Sequence, residues 1–164
     1  METKFVASNK LLKWVSKSQR MSHYEVIIEV FMVALFGGKM ILNASNAVML
    51  ALGLTFVIGL FLIMAYSSTI RKGRIISRTV SHLSFEDDVV TISTFGFRLF
   101  GVFNYSGATY TSLLSSLNPR NKTYPIMDKK IIGEKAIYLK IDGKNELLLL
   151  TDFFEKELMN HLKN

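Results

Sequence analysis

The chain has 164 residues, 49% of them hydrophobic, a net charge of +7 and no cysteine. The length suits one small soluble domain plus two membrane helices, and the missing cysteine excludes disulfides, thiolate-held metals, c-type haem attachment and iron–sulfur ligation. The charge is lopsided: residues 79–164 hold ten Lys/Arg and ten Asp/Glu, whereas residues 1–78 set ten Lys/Arg against only Glu2, Glu25 and Glu29. A nucleic-acid binder carries its cations on the soluble fold. Here they flank apolar runs, which points to anionic lipid head groups instead.

Residues 1–20 read as a basic amphipathic helix lying on a membrane surface. Phe5, Leu11, Leu12 and Val15 supply the apolar positions, Lys4, Lys10, Lys13, Lys17 and Arg20 lie between them, and Trp14 suits an interface. The basic, acid-poor composition is also that of a mitochondrial presequence; a retained arm is the expectation here.

Tyr24 to Leu42 is the first apolar stretch. Glu25 and Glu29 stand one turn apart near its start, on one face, and Lys39 lies near its end. Ionisable groups in a membrane helix are costly and suggest a function. Two helices cannot enclose a transport path, so these acids, with the small pair Gly37-Gly38, are expected to meet a neighbouring membrane helix.

The polar loop Asn43-Ala44-Ser45-Asn46 leads into Ala47–Ile70, 24 residues without a charge. Such a helix is longer than the roughly 30 Å of a bilayer's hydrocarbon core. Arg71, Lys72, Arg74 and Arg78 follow in a basic junction, 71–78. Cations on both flanks and none in the loop place both ends in the cytoplasm or the mitochondrial matrix. Head-group contacts are expected from Lys10, Lys13, Lys17, Arg20, Arg71, Lys72 and Arg74, with an anionic lipid such as cardiolipin as the bound group.

Residues 79–164 read as a β domain. Thr79–Phe85 and Val89–Phe95 alternate around the turn Glu86-Asp87-Asp88, forming a hairpin. Gly96, Gly101 and Gly107 punctuate an aromatic stretch as bulges or turns, with one or two further strands. Asn118-Pro119 reads as a turn and 119–133 as a loop. Lys135–Ile141 and Glu146–Leu150 are strands across an Asp142-Gly143 turn. Asp152 and Glu155 suggest a capping box opening a helix over 152–162, with Phe154, Leu158 and Leu162 as its apolar stripe.

No catalytic or metal-binding pattern stands out. His23, His82 and His161 lack ligand spacing, and no nucleophile elbow, P-loop or dinucleotide glycine pattern occurs. The aromatic stretch lacks the basic interleaving of a base-stacking platform. No catalytic, cofactor or metal residue is therefore assigned.

Two helices, a tight polar loop, basic residues, then Arg78-Thr79-Val80-Ser81-His82-Leu83 and Val89-Val90-Thr91-Ile92-Ser93-Thr94-Phe95-Gly96: this order resembles the mitochondrial assembly-factor family of transmembrane proteins 70, 186 and 223, the last nearest. The likeness spans about residues 24–150. It implies the inner mitochondrial membrane, both termini in the matrix, no enzymatic activity, and work on respiratory-chain or ATP-synthase complexes. The chain departs from that pattern in lacking a long cleavable presequence and in its C-terminal helix. Bacterial two-helix proteins with a pleckstrin-like domain are a rival likeness, implying a plasma membrane and lipid binding.

The expected fold is thus an α+β membrane protein: a transmembrane helical hairpin, about 24–42 and 47–70, then an antiparallel pleckstrin-like β meander closed by a C-terminal helix. The expected function is a non-catalytic accessory subunit of a mitochondrial inner-membrane respiratory complex. Its expected partners are other subunits and anionic lipid, with no nucleic acid and no small-molecule substrate. A transient assembly factor and a lipid-binding module are the alternatives.

Overall fold

The computed structural model describes residues 2–121, 136–141 and 145–162, without the side chains of residues 67, 68, 118, 120 and 121. It is an α+β fold, with long N-terminal helices followed by small antiparallel sheets and a short C-terminal helix.

The chain opens with a strand, β1 (Thr3–Val6), where an amphipathic helix was expected. Thr3, Phe5 and Val6 suit a pleated, half-buried surface. They pair antiparallel with β2 (Val80–Glu86), with Phe5 opposite Leu83. Glu2 helps to fasten this edge: its carboxylate meets the Lys4 ammonium at 2.9 Å and accepts a hydrogen bond from the Ser84 hydroxyl at 2.7 Å. Both partners favour the ionised form and hold the Glu2 carboxyl below the usual carboxylate range.

Helix α1 (Asn9–Asn43) then runs unbroken for 35 residues, about 52 Å at 1.5 Å per residue. The arm from Asn9 onward and the first expected span are therefore one continuous helix. Leu11 and Val15, one turn apart, are buried, and Trp14 packs against the same cluster rather than at an interface. Asn46 ends the loop by capping α2 (Ala47–Ala65), its Oδ1 accepting from the Met49 amide at 2.9 Å. A π-helical turn (Tyr66–Arg71) links α2 to α3 (Lys72–Arg78), so the expected junction is the end of one continuous helix, Ala47–Arg78. The π turn adds a residue to the helical register and re-aims the face that α3 presents. Gly73 and Ile76 are buried on that face.

Strands β2 and β3 (Val89–Thr94) form the expected hairpin, with Asp87 at φ 51° in its turn. One feature was hidden in the alternation. Val80 and Leu83 differ in parity yet are both fully buried, because a bulge between Val80 and His82 resets the register. The aromatic stretch supplies three strands: β4 (Phe97–Leu99), β5 (Phe103–Tyr105) and β6 (Thr109–Leu113). β4 and β5 stand apart as a two-stranded arm, while β6 completes a sheet of order β1-β2-β3-β6.

The arm turns at Phe100-Gly101, both at positive φ (48° and 71°), with the Val102 amide donating to the Leu99 carbonyl at 3.2 Å. That is the signature of a tight hairpin turn of the mirror-image type. At the arm's base Gly96 and Gly107 let two backbones cross: a Cβ on Gly107 would stand 2.5 Å from the Thr94 carbonyl oxygen.

The second sheet has the order β7-β8-β9, from β7 (Asn118–Asn121), β8 (Ile137–Ile141) and β9 (Asn145–Leu149). The expected turn at Asn118-Pro119 is thus a strand; Pro119 is tolerated because β7 is an edge. The rest of the expected loop, 122–133, and the Asp142-Gly143 turn lie outside the described residues.

Two hydrophobic clusters meet across β9. Leu147 and Leu149 join Phe5, Leu83, Ile92 and Leu139 between the sheets. Leu148 and Leu150 point the other way, to Leu11, Val15, Ile76, Phe97 and Leu99. A strand buried on both faces needs an unbroken apolar run, which Leu147-Leu148-Leu149-Leu150 provides.

The capped helix expected over 152–162 is replaced by a 3₁₀ turn (Thr151–Phe153) and a four-residue helix, α4 (Leu158–His161). The Phe153 carbonyl accepts from the Ser8 amide at 2.9 Å, and Phe154 is extended (φ −119°, ψ 167°). The backbone between Asp152 and Glu155 is therefore not helical, and their capping box cannot form. The apolar stripe still reaches its target: Leu158 and Leu162 are buried in the first cluster, and Phe154 packs against both.

Candidate functional site

The candidate site is the helical hairpin and its junction with the β domain. Among the described residues one helix, Ala47–Arg78, is long and apolar enough to cross a membrane by itself. Helix α1, with Glu25, Glu29 and Lys39 in its upper half, does not meet that measure, so composition supports one arm of the expected pair. Both arms nevertheless expose large apolar side chains outward, among them Ile28, Phe31 and Leu35 on α1 and Leu52, Phe56 and Ile63 on α2. A water-soluble protein rarely leaves a surface of this kind uncovered.

The acids expected to greet a neighbouring subunit are instead drawn into the chain's own structure. Glu25 forms an ion pair with Lys72, which was expected to contact lipid. The Lys72 side chain is 19% exposed and that of Glu25 37%, so the pair sits at the edge of solvent. Glu29 is buried at 6% exposure. Gly37 also turns inward: a Cβ there would meet Val57 Cγ1 at 3.8 Å, and the residue is buried against α2. Gly38 faces open space, with nothing within 4 Å of a Cβ. Of the four expected partner contacts, Glu29 and Gly37 are buried, while Glu25, paired with Lys72, and Gly38 stay partly exposed.

The cations divide in the same way. Lys10 lies with its ammonium 5.8 Å above the Phe153 ring, against the domain's own surface. Lys13, Lys17 and Arg20 recur on one face of α1 and, with Leu12, Ser16 and Met21, form a basic surface open to solvent. Arg74 is exposed on α3, and Arg71 is half-buried. The seven expected head-group contacts are therefore not one patch. Three cluster on α1, and Lys72 is committed to Glu25.

Several residues that matter here carried no signal in the sequence. Gln19 Nε2 donates to the Arg98 carbonyl at 2.7 Å. His23 Nδ1 donates to the Gln19 carbonyl at 2.8 Å, which leaves Nε2 to accept from the Phe100 amide at 3.4 Å. The His23 and Phe100 rings meet edge to face at 4.7 Å. Together these contacts fasten the β4–β5 arm along α1. On the arm's other side Gly73 lets α3 approach: a Cβ would stand 2.5 Å from the Tyr105 ring and 3.1 Å from Phe97. Only the glycine within the basic run Arg71-Lys72-Gly73-Arg74 could have hinted at a close approach.

Among the described residues no group of three or more His, Asp and Glu stands together as a metal site. His161 packs against the Phe5 and Phe85 rings at 5.3 and 5.5 Å. No protein-family model matches the chain, and neither a curated protein nor a solved structure matches it.

Proposed function

We propose that the chain is a non-catalytic accessory membrane subunit, with the hairpin inserted in the bilayer and the β domain and both termini on the same side. The supporting observation is that both acids of α1 are engaged by the chain's own structure while large apolar side chains face outward. Glu25 is paired with Lys72 and Glu29 is buried, so the flanks of the hairpin offer apolar side chains to lipid or to neighbouring helices. Within that class we place it in the mitochondrial inner membrane, as an accessory component of a respiratory-chain complex. This rests on the resemblance in element order and on the Arg78–Leu83 and Val89–Gly96 segments. A small pleckstrin-like β domain facing the matrix and a cardiolipin head group against Lys13, Lys17 and Arg20 belong to the same proposal.

Two experiments test it. The chain lacks cysteine, so single-cysteine variants give unambiguous topology. Ser45→Cys in the loop and Glu86→Cys in the β domain should react with impermeant reagent from opposite sides of the membrane; labelling from one side refutes insertion as a hairpin. Co-migration with a respiratory complex at fixed stoichiometry on native gels is expected of a permanent subunit. Presence in assembly intermediates alone would favour the assembly-factor reading instead.

A further inference from the structure

We infer that the tip of the β4–β5 arm, Phe100-Gly101-Val102-Phe103, is a wedge that enters the head-group layer of an anionic bilayer beside the hairpin. The inference rests on the hairpin reading above and adds a second point of membrane contact.

Direction comes first. The arm is fastened to α1 at two levels: Arg98 beside Gln19, and Phe100 beside His23, one helical turn further toward the hairpin. The arm therefore rises along α1, and its turn projects past His23. Height follows from the helix. From His23 to Asn43, where α1 ends at the loop, the rise is about 30 Å, one hydrocarbon thickness. The turn thus stands at the membrane boundary, level with the start of the exposed apolar surface at Tyr24 and Ile27.

Chemistry agrees with this position. Phe100 is 51% exposed, Val102 78% and Phe103 46%, an apolar tip in a turn where polar residues and glycine are the usual choice. Phe100 also holds a positive φ of 48°, a conformation uncommon for a bulky side chain. Exposed cations sit just below, Arg98 on the arm and Arg20 on α1, at the height of lipid phosphates. The arm itself carries no acid from Phe97 to Tyr105. Apolar residues above a belt of cations are the pattern of an interfacial anchor.

The test uses full-length protein in vesicles of phosphatidylcholine and cardiolipin, with one environment-sensitive label on a single cysteine. Val102→Cys probes the tip, Leu52→Cys the span and Glu86→Cys the soluble side. Quenching by lipids spin-labelled near the glycerol should be at least about threefold stronger at Val102 than at Glu86, as expected for a group about 5–10 Å into the head-group and acyl boundary. Strong quenching at Leu52 with none at Val102 overturns the wedge and leaves the hairpin standing; the tip then faces water or a protein. Absence of quenching at Leu52 overturns both.

Discussion

The substitution Gly73→Ala isolates the contact that seats the β4–β5 arm on the helices. The new methyl would lie 2.5 Å from Tyr105 Cδ2 and Cε2, and 3.1 Å from Phe97 Cδ1. Carbon atoms rest near 3.5–4.0 Å, so the Tyr105 ring must retreat by about 1 Å. Phe97, itself fully buried, touches both the methyl position and the Tyr105 ring and limits how the rings can rearrange. Overpacking of this kind costs about 1–3 kcal/mol. Against it stands the helix preference for Ala over Gly, a gain of about 1 kcal/mol. The expected net loss is about 1 kcal/mol.

The sharper expectation is a change of sign. In a Tyr105→Ala background the main obstacle is gone, and Gly73→Ala should then stabilise by about 1 kcal/mol from propensity alone. Guanidinium unfolding in detergent, followed by Trp14, the chain's one tryptophan and a neighbour of the second cluster, reads both cycles. An effect of the same sign and size in the two backgrounds would refute the argument.

Gly107→Ala should be more damaging than Gly73→Ala, about 3 kcal/mol, because its methyl meets the Thr94 carbonyl, which cannot rotate away; the same unfolding assay compares them. Glu25→Lys and Lys72→Glu should each weaken the detergent-solubilised fold, and the swapped double variant should recover about 1 kcal/mol of coupling, a value between exposed and buried pairs. Additive single effects would mean that the pair contributes nothing. Glu2 carries the acid dependence of β1. Its folded-state pKa is lowered, so its contribution is complete above the unfolded carboxylate pKa and is lost as pH falls through the folded value. Protection factors at Thr3–Val6, which are exchange rates taken relative to the intrinsic amide rate at each pH, should fall on acidification in the wild type and show less pH dependence in Glu2→Gln. Charge reversal at Lys13, Lys17 and Arg20 together should strip cardiolipin from the purified protein in native mass spectra; retention at wild-type level would exclude this basic face of α1 as its seat.

Legibility followed the range of the interactions involved. The uncharged run after Asn46 and the β2–β3 hairpin were readable because length and alternation are local properties. The same is true of the buried positions of Leu158 and Leu162. What failed depended on distant partners. Nothing near Phe5 announces that Thr3–Val6 will pair with β2 some eighty residues away, and basic residues interleaved with apolar ones fit an interfacial helix equally well. The capping box at Asp152 is locally sound, yet Ser8 holds the Phe153 carbonyl, Phe153 packs against the second cluster and Phe154 against both. At the candidate site the sequence marked Glu25 and Lys72 separately, as a subunit contact and a lipid contact. Only the antiparallel return of the hairpin brings them together.

That return bears on how the two halves of the molecule cooperate. A soluble domain joined to a membrane anchor through a flexible linker can tumble, and its surfaces need no fixed height. Here α1 belongs to both halves: Leu11 and Val15 lie in the second cluster, while Ile28, Phe31 and Leu35 face outward from the hairpin. The continuous helix Ala47–Arg78 does the same from the other strand of the hairpin, burying Ile76 in that cluster. Two helices cross the boundary, tied to each other by Glu25 and Lys72, and the β4–β5 arm is clamped between them by His23, Gln19 and the Gly73 approach. The domain is therefore set at a fixed distance and orientation from the hairpin. Fixed geometry of that kind suits the accessory role proposed for the chain, because an element proposed to hold neighbouring subunits in register gains nothing from a mobile tether.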